Sequence, residues 1–217
     1  MKAKLGHVLW TEGHYNAVLN NDQTGRPQII MVSREITERK EREGKLIFMA
    51  YHDSLTNLPN RRFLNKEFAH ILEKAKARYE SIAIVYIDGD NFKEVNDTHG
   101  HDVGDEFICR FSKALTNCVT PNDLVVRVGG DEFVVVLTEL SRNEELQMQQ
   151  IKAFIERVRN QLYEGWYIND HFFQPTSSMG ISFYPNHGEK IEKLVDLADQ
   201  ALFEAKSKQK NSYKISE

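Results

Sequence analysis

Two short acidic segments combine residue types that could hold a divalent metal and phosphate groups. In the first, residues 129–133 have the sequence Gly-Gly-Asp-Glu-Phe and lie between the β-branched runs 124–128 and 133–137. A Gly-Gly pair between such runs predicts a tight hairpin, because its two-residue turn needs positive φ angles. Paired carboxylates beside a turn without side chains suit a metal and the phosphates it binds. Taken alone, the segment is also typical of an ordinary hairpin with a solvated acidic edge.

The second acidic segment follows a short, apolar run at residues 81–87 that is typical of a buried strand. Asp88 and Asp90 come next, separated by Gly89, so in an extended chain both carboxylates point to the same side. Magnesium often takes one or two carboxylates together with substrate phosphates. Two such strand-borne sites side by side would suit two-metal phosphoryl or nucleotidyl transfer. The alternative is that Asp88 only ends the strand as a turn residue.

Six motifs in order make residues 45–215 resemble the GGDEF family of diguanylate cyclases. They are Asp-Ser-Leu-Thr-Asn-Leu-Pro-Asn-Arg-Arg at 53–62, Asp-Gly-Asp-Asn-Phe-Lys at 88–93, Asn-Asp at 96–97, Gly-His-Asp-Val-Gly-Asp at 100–105, the signature at 129–133, and Ala-Asp-Gln-Ala-Leu-Phe-Glu-Ala-Lys at 198–206. The resemblance implies an enzyme that joins two GTP into cyclic di-GMP and releases two pyrophosphates. It also implies a homodimer that shares the site, with two Mg²⁺ (or Mn²⁺) ions per active site.

The resemblance assigns the metal ligands and the catalytic residues. Asp88, Asp131 and the Gly89 carbonyl are the expected metal ligands, and Glu132 either ligates the second ion or assists deprotonation of the 3′-hydroxyl. Asp131, Glu132 and Lys93 are the expected catalytic residues, since the 3′-oxygen must attack the α-phosphorus of the other GTP in line with the leaving pyrophosphate. An apolar residue is more usual at position 89, so glycine is expected to pack less and to loosen the strand end.

The resemblance also implies that Asn96 and Asp105 recognise guanine. A carboxylate can accept hydrogen bonds from the N1–H and N2–H₂ edge of guanine, and an amide can serve O6 or N3. Adenine would leave these groups unpaired, which is how such sites discriminate. Gly129 and Gly130 are expected to let the nucleotide lie close to the backbone.

Phosphate binding is expected from three lysines and from backbone N–H groups. Lys93, Lys206 and Lys210 correspond to the phosphate clamps, and the N–H groups of Asn91 and Phe92 to the cradle of the β- and γ-phosphates. Lysine is also favoured near a helix C-terminus for purely structural reasons. The family usually has arginine where this chain has Lys210, and lysine lacks the bidentate fork, so somewhat weaker GTP binding is expected.

The inhibitory motif of many members, Arg-x-x-Asp, is incomplete in this chain. Its last residue lies six positions before the first glycine of the signature, and here the window has Thr120 in place of arginine, with Asp123 retained. Bidentate recognition of guanine or phosphate by arginine is lost. The inhibitory site is therefore expected to be absent.

Composition places the chain among ordinary globular proteins. It has 217 residues, 41% hydrophobic and 28% charged, and a formal net charge of −4, which argues against a nucleic-acid binder. No apolar run approaches the ~20 residues that span a membrane, and no signal peptide is visible. Cys109 and Cys118 lie on opposite faces of one predicted helix and cannot pair, so a reducing, cytoplasmic location is expected.

Three regions are expected along the chain. Residues 1–35 resemble the last hairpin of a PAS sensor domain, with strands at 8–19 and 28–33 joined by a turn at 20–27, and are too short to enclose a ligand pocket. Residues 36–52 are expected to form a signalling helix that pairs with its twin in a dimer, although a solvated linker helix is the alternative. Gly44 weakens that helix by roughly 1 kcal/mol relative to alanine, which allows a break there.

Residues 53–217 alternate helices and strands, which predicts an α+β fold. The order βαββαβ is that of a ferredoxin-like, palm-type core with a central antiparallel sheet flanked by helices, the core of nucleotidyl cyclases. Helix starts are predicted at the cap Asn60 and at a capping box formed by Ser141 and Glu144. A second hairpin is predicted across residues 167–184, and a last strand at 212–215.

Two alternatives to an active diguanylate cyclase remain. One is a catalytically silent module that senses GTP or cyclic di-GMP and regulates a partner. Degenerate relatives of that kind usually lose the signature acids or the guanine readers, which are intact here. The other is a different nucleotidyl cyclase or dinucleotide synthase on the same palm, which Asn96 and Asp105 disfavour.

Overall fold

The structure, a computed structural model, describes residues 9–19 and 27–217, and the chain divides into two compact units, Met1–Ala50 and Tyr51–Glu217. In the first unit, β1 (Thr11–Leu19) pairs antiparallel with β2 (Pro27–Glu35). The predicted strands are therefore present. The predicted turn at 20–27, apart from Pro27, and residue 8 lie outside the described residues.

Helix α1 (Thr37–Tyr51) follows β2 and continues through Gly44, so the break that glycine allowed does not occur. Its surface carries ion pairs one turn apart, Arg42 with Glu38 and Arg39 with Glu43. Such exposed pairs each contribute only about 0.2–0.5 kcal/mol. None of the residues of α1 is buried.

The second unit contains a five-stranded mixed sheet flanked by helices. Its elements are α2 (Arg61–Arg78), β3 (Ser81–Gly89), α3 (Phe92–His99), α4 (His101–Asn117), β4 (Leu124–Gly129), β5 (Glu132–Leu140), α5 (Glu144–Tyr163), β6 (Trp166–Ile168), β7 (His171–Phe173), β8 (Ser177–Tyr184), α6 (Ile191–Lys208) and β9 (Tyr213–Ile215). The strand order is β4-β5-β3-β8-β9, with β9 parallel to β8 and the other neighbours antiparallel. The predicted α+β palm-type fold is confirmed, with one parallel strand added at the edge.

Strand β3 is the centre of the sheet, and its two faces belong to two hydrophobic cores. Ala83, Val85 and Ile87 pack with residues of α4 and α5, whereas Ile82 and Ile84 pack with residues of α2 and α6. A strand buried on both faces explains the uninterrupted apolar run in the sequence. The alternation also places Asp88 on the α2 and α6 side of the sheet, two residues beyond Tyr86.

Two local predictions differ from the structure. Helix α5 is capped by Asn143, whose side chain accepts from the Leu146 N–H at 3.1 Å, and the predicted capping box is wrong. Ser141 instead accepts a hydrogen bond from the Asn143 N–H. The predicted second hairpin is a short pair, β6 with β7, because β8 pairs with β3 in the main sheet. The cap at Asn60 is confirmed.

Candidate functional site

Asp88, next to the end of β3, and Glu132, at the start of β5, lie at the same end of the sheet. They are directly opposite in the antiparallel pair of β3 and β5. The Tyr86 hydroxyl lies near the Glu132 carboxylate on the same face of the sheet. Asp131 precedes Glu132, and its carbonyl accepts from the Gly89 N–H at 3.2 Å. The structure thus brings together the acidic ends that the sequence pattern suggested.

The turn of the signature hairpin lies one residue later than its sequence suggested. Gly129 still belongs to β4 and faces Glu132, so the two turn residues are Gly130 and Asp131 rather than the two glycines. Only Gly130 has a positive φ, of 51°. A Cβ built on either glycine would meet nothing within 4 Å, so the backbone here is open to a ligand.

The carboxylates of this site are held in an unfavourable environment. Burial, followed by the charge of Asp88, raises the pKa of Asp131 from 3.8 to about 6. Burial and then the charges of Asp88 and Asp199 also raise the pKa of Glu132. Like charges and loss of water both disfavour the ionised form. A cation bound beside these carboxylates would relieve both effects.

Lys206 of α6 is the cation that faces this cluster, since its ammonium contacts the Asp88 carboxylate. Asp88 Oδ1 is buried and makes no hydrogen bond of good geometry. Among the described residues, no three His, Cys, Asp or Glu side chains are grouped to hold a metal ion. The donor set nevertheless suits Mg²⁺ or Mn²⁺, because Mg²⁺ usually combines one or two carboxylates with substrate phosphates. Asp88, Asp131 and the Gly89 carbonyl offer such hard oxygens.

An open cleft of about 550 Å³ lies beside these carboxylates. Its lining includes eight of the expected site residues: Asp88, Gly89, Asn91, Phe92, Lys93, Asp131, Lys206 and Lys210. Helix α3 begins at Phe92 with its N-terminus at this cleft, and Asn91 before it has a left-handed φ of 64° without capping α3 through its side chain. The free N–H groups of a helix N-terminus favour anions.

Asn96 and Asp105 lie on the consecutive helices α3 and α4 and do not line this cleft. Asn96 packs against Gly104: a Cβ at position 104 would fall 1.9 Å from Asn96 Oδ1. Only glycine therefore leaves room for the Asn96 side chain in its present place. Asp105 follows Gly104 and is exposed.

Both carboxylate oxygens of Asp123 accept hydrogen bonds, one from its own turn and one from strand β5. Its Oδ2 accepts from the N–H and the hydroxyl of Thr120, both at 2.8 Å, and its Oδ1 accepts from the Thr138 N–H at 2.8 Å. Thr120 thus donates to the Asp123 carboxylate, whereas an arginine at this position would offer its guanidinium to a ligand. This geometry is consistent with the expected loss of the inhibitory site.

Arg127 ties the signature hairpin to the first motif of the domain. Its guanidinium donates to Asp53 Oδ1 at 2.7 Å and to the Gly130 carbonyl at 3.1 and 2.9 Å. Although burial alone would raise it, the pKa of Asp53 is lowered by hydrogen bonds from Arg127 and Thr56. Sequence reasoning missed Arg127, and an arginine two residues before the signature was the available signal.

Comparison with known proteins agrees with this geometry. The family model described as "Diguanylate cyclase, GGDEF domain" matches residues 50–212. The chain belongs to this family. The GGDEF domain of YfiN (TpbB) from Pseudomonas aeruginosa has the same fold, with a TM-score of 0.71 and 31% identity over 76% of this chain and 94% of that chain.

Curated relatives carry more than one activity in their names. Diguanylate cyclase DosC of Escherichia coli K12 is 35% identical over 189 residues, which are 87% of this chain. Cyclic di-GMP phosphodiesterase NbdA of Pseudomonas aeruginosa is 34% identical over 164 residues, 76% of this chain. The chain spans 39% of the length of DosC and 20% of that of NbdA. Among the described residues, no helix of this GGDEF protein has the length and apolar character needed to cross a bilayer.

Proposed function

We propose that this chain is an active diguanylate cyclase that condenses two GTP into cyclic di-GMP and two pyrophosphates. The observation that carries the proposal is the convergence of Asp88, Asp131 and Glu132 beside a cleft whose mixed acidic and basic lining includes three lysines. Carboxylates with raised pKa values, next to lysines and the N-terminus of a helix, are typical of a site that takes a metal–triphosphate complex.

The chain's own residues are assigned as follows. Asp88, Asp131 and the Gly89 carbonyl hold one Mg²⁺ or Mn²⁺, and Glu132 either holds a second ion or accepts the proton of the 3′-hydroxyl. The ions supply Lewis-acid charge stabilisation to the triphosphate. Lys93, Lys206 and Lys210, with the N–H groups at the start of α3, hold the β- and γ-phosphates. Upon nucleotide binding, Lys206 exchanges its contact with Asp88 for phosphate.

Guanine selection is assigned to Asn96 and Asp105, which extend from α3 and α4. Their amide and carboxylate match the hydrogen-bonding edge of guanine and leave unpaired groups with adenine. Gly129 and Gly130 leave space for the nucleotide at the backbone. Replacing Asp105 by serine is expected to relax base choice.

Turnover is proposed to need a homodimer, since each protomer binds one GTP and the two must face each other. Exposed apolar side chains near the end of α1, at Leu46, Ile47 and Met49, support pairing of this helix with that of a second copy.

We assign residues 36–52 to this signalling helix, residues 1–35 to the end of a PAS-like sensor, and residues 53–217 to the cyclase domain. The reaction is placed in the cytoplasm, where GTP is available.

A silent module that binds GTP or cyclic di-GMP is the second candidate, and similarity to the phosphodiesterase NbdA favours considering it. Both candidates predict nucleotide binding, and only the first predicts product. The test is incubation with GTP and Mg²⁺, separation of the nucleotides, and repetition with Asp131→Ala. Cyclic di-GMP from the wild type and none from the variant is expected. Product that persists in the variant would remove Asp131 from the metal site.

A further inference from the structure

Asp90 joins three segments of the candidate site, although none of the roles assigned above uses it. It follows Gly89 at the end of β3 and is only 6% exposed. Its Oδ1 accepts from the Ser178 hydroxyl at 2.8 Å, and its Oδ2 accepts from the Thr176 hydroxyl at 2.8 Å and the Asn211 N–H at 2.9 Å. A buried carboxylate requires hydrogen-bond donors, and Asp90 therefore also holds these three donors in place.

The bond to Asn211 is one of the hydrogen bonds that hold the segment after α6, together with one from Arg159 to the Asn211 carbonyl. Asn211 has a left-handed φ of 55° and directly follows Lys210. The Lys210 ammonium donates to the side-chain oxygen of Asn91, the residue next to Asp90 in the chain. Lys210 is therefore next in the chain to a residue that Asp90 holds, and Asn91 is next in the chain to Asp90 itself.

We propose that Asp90 is a positioning residue for triphosphate binding, which acts by keeping Lys210 beside the N-terminus of α3. The inference rests on the proposed function in taking the anion to be the triphosphate of GTP. The direction in which nucleotide affinity changes when Asp90 is neutralised distinguishes positioning from simple electrostatic repulsion. A buried carboxylate beside an anion site repels the anion, so electrostatics alone predicts tighter nucleotide binding when Asp90 loses its charge. Positioning predicts weaker binding.

The test uses the whole chain and Asp90→Asn. The dissociation constant of a non-reacting probe, the α,β-methylene analogue of GTP with Mg²⁺, is measured by calorimetry. Loss of a charge-assisted acceptor is expected to weaken binding by roughly tenfold. In a Lys210→Ala background, Asp90→Asn is expected to change the dissociation constant by less than about twofold, because the effects of residues that act through one another are not additive. Asp196→Asn, the same charge change on an exposed part of α6, is the matched control.

Each outcome decides the inference. Equal or tighter binding by a folded Asp90→Asn protein would overturn it, and so would a tenfold loss that persists without Lys210. Where Asp90→Asn does not fold, Thr176→Val removes one donor and is expected to weaken binding by about two- to threefold, again only with Lys210 present. A wild type that fails to bind the probe would contradict the proposed function as well. A wild type that binds, with unaffected variants, contradicts the role of Asp90 alone.

Discussion

Asp88 lies directly opposite Glu132 across the central strands, and Asp131 occupies the adjoining turn. Like charges in opposing positions of a sheet destabilise it. Here burial adds to the repulsion, and the pKa values of Asp131 and Glu132 both rise. A cation bound at this end of the sheet would offset the repulsion and stabilise it, which would couple folding of the site to binding of the proposed metal–nucleotide complex.

Stability without metal should depend on pH through Asp131. The pKa of Asp131 in the folded protein, about 6, exceeds its ordinary value of 3.8. The contribution of this carboxyl to the free energy of unfolding is therefore complete below the ordinary value and is lost as the pH rises through about 6. Asp131→Asn stays neutral throughout. In EDTA, urea unfolding should show the wild type losing stability relative to the variant between about pH 4 and 6.5. Parallel profiles would contradict the raised pKa.

Gly104 should be required for guanine recognition through Asn96. Alanine at this position places a methyl group 1.9 Å from Asn96 Oδ1, so the amide must move. Gly104→Ala is expected to raise the KM for GTP by about tenfold and to strengthen competition by ATP, since lost hydrogen bonds weaken base discrimination. Initial rates with both nucleotides measure this. Gly44→Ala, which has open space, is the control. Unchanged selectivity in Gly104→Ala would remove Asn96 from guanine recognition.

Product inhibition at the usual motif should be absent. Asp123 is held by Thr120 and Thr138, and no arginine precedes it at the required spacing. Added cyclic di-GMP is expected to leave initial rates unchanged through the submicromolar range. Thr120→Arg, which supplies the missing guanidinium, is expected to increase sensitivity. Submicromolar inhibition of the wild type would refute this prediction.

Arg127 should stabilise the signature hairpin by holding Asp53 and the Gly130 carbonyl together. The side chains of Arg127 and Asp53 are 12% and 24% exposed. Arg127→Lys keeps the positive charge but loses the two-pronged hydrogen bonding of the guanidinium. It is expected to lower the free energy of unfolding by about 2 kcal/mol, less than for a fully buried pair. Urea unfolding measures this. Arg110→Lys, in the exposed pair with Glu106, should change stability by less than about 0.5 kcal/mol. Equal effects would contradict the structural role of Arg127.

Local rules predicted most of the elements correctly. The apolar run of β3, the cap at Asn60 and the final strand follow from burial pattern and capping chemistry. The pairing of β8 with β3 could not be predicted this way, because strand partners far apart in sequence are chosen by tertiary packing. Asn143 caps α5 because the Ser141 hydroxyl already accepts a hydrogen bond from the Asn143 N–H in the preceding turn.

The site was predictable in its residue types and less so in its connections. Spacing and resemblance named Asp88 and Asp131, and the structure brings their strands together. The roles of Asp90 and Arg127 depend on partners 86 and 74 residues away, so the sequence could mark Arg127 only by its position before the signature and could not show what either residue contacts. Thr120 and Asp123 are only three residues apart, but the bond from Thr138 to Asp123 forms only when β5 packs beside this turn.

The most direct test of the account is product stoichiometry over a series of protein concentrations. With GTP and Mg²⁺, the wild type should form one cyclic di-GMP for every two pyrophosphates, identified by mass. Activity per protomer should rise with protein concentration, because two GTP-loaded protomers must meet. Protein that binds the GTP analogue but leaves GTP unchanged at every concentration would contradict the account and favour the silent module.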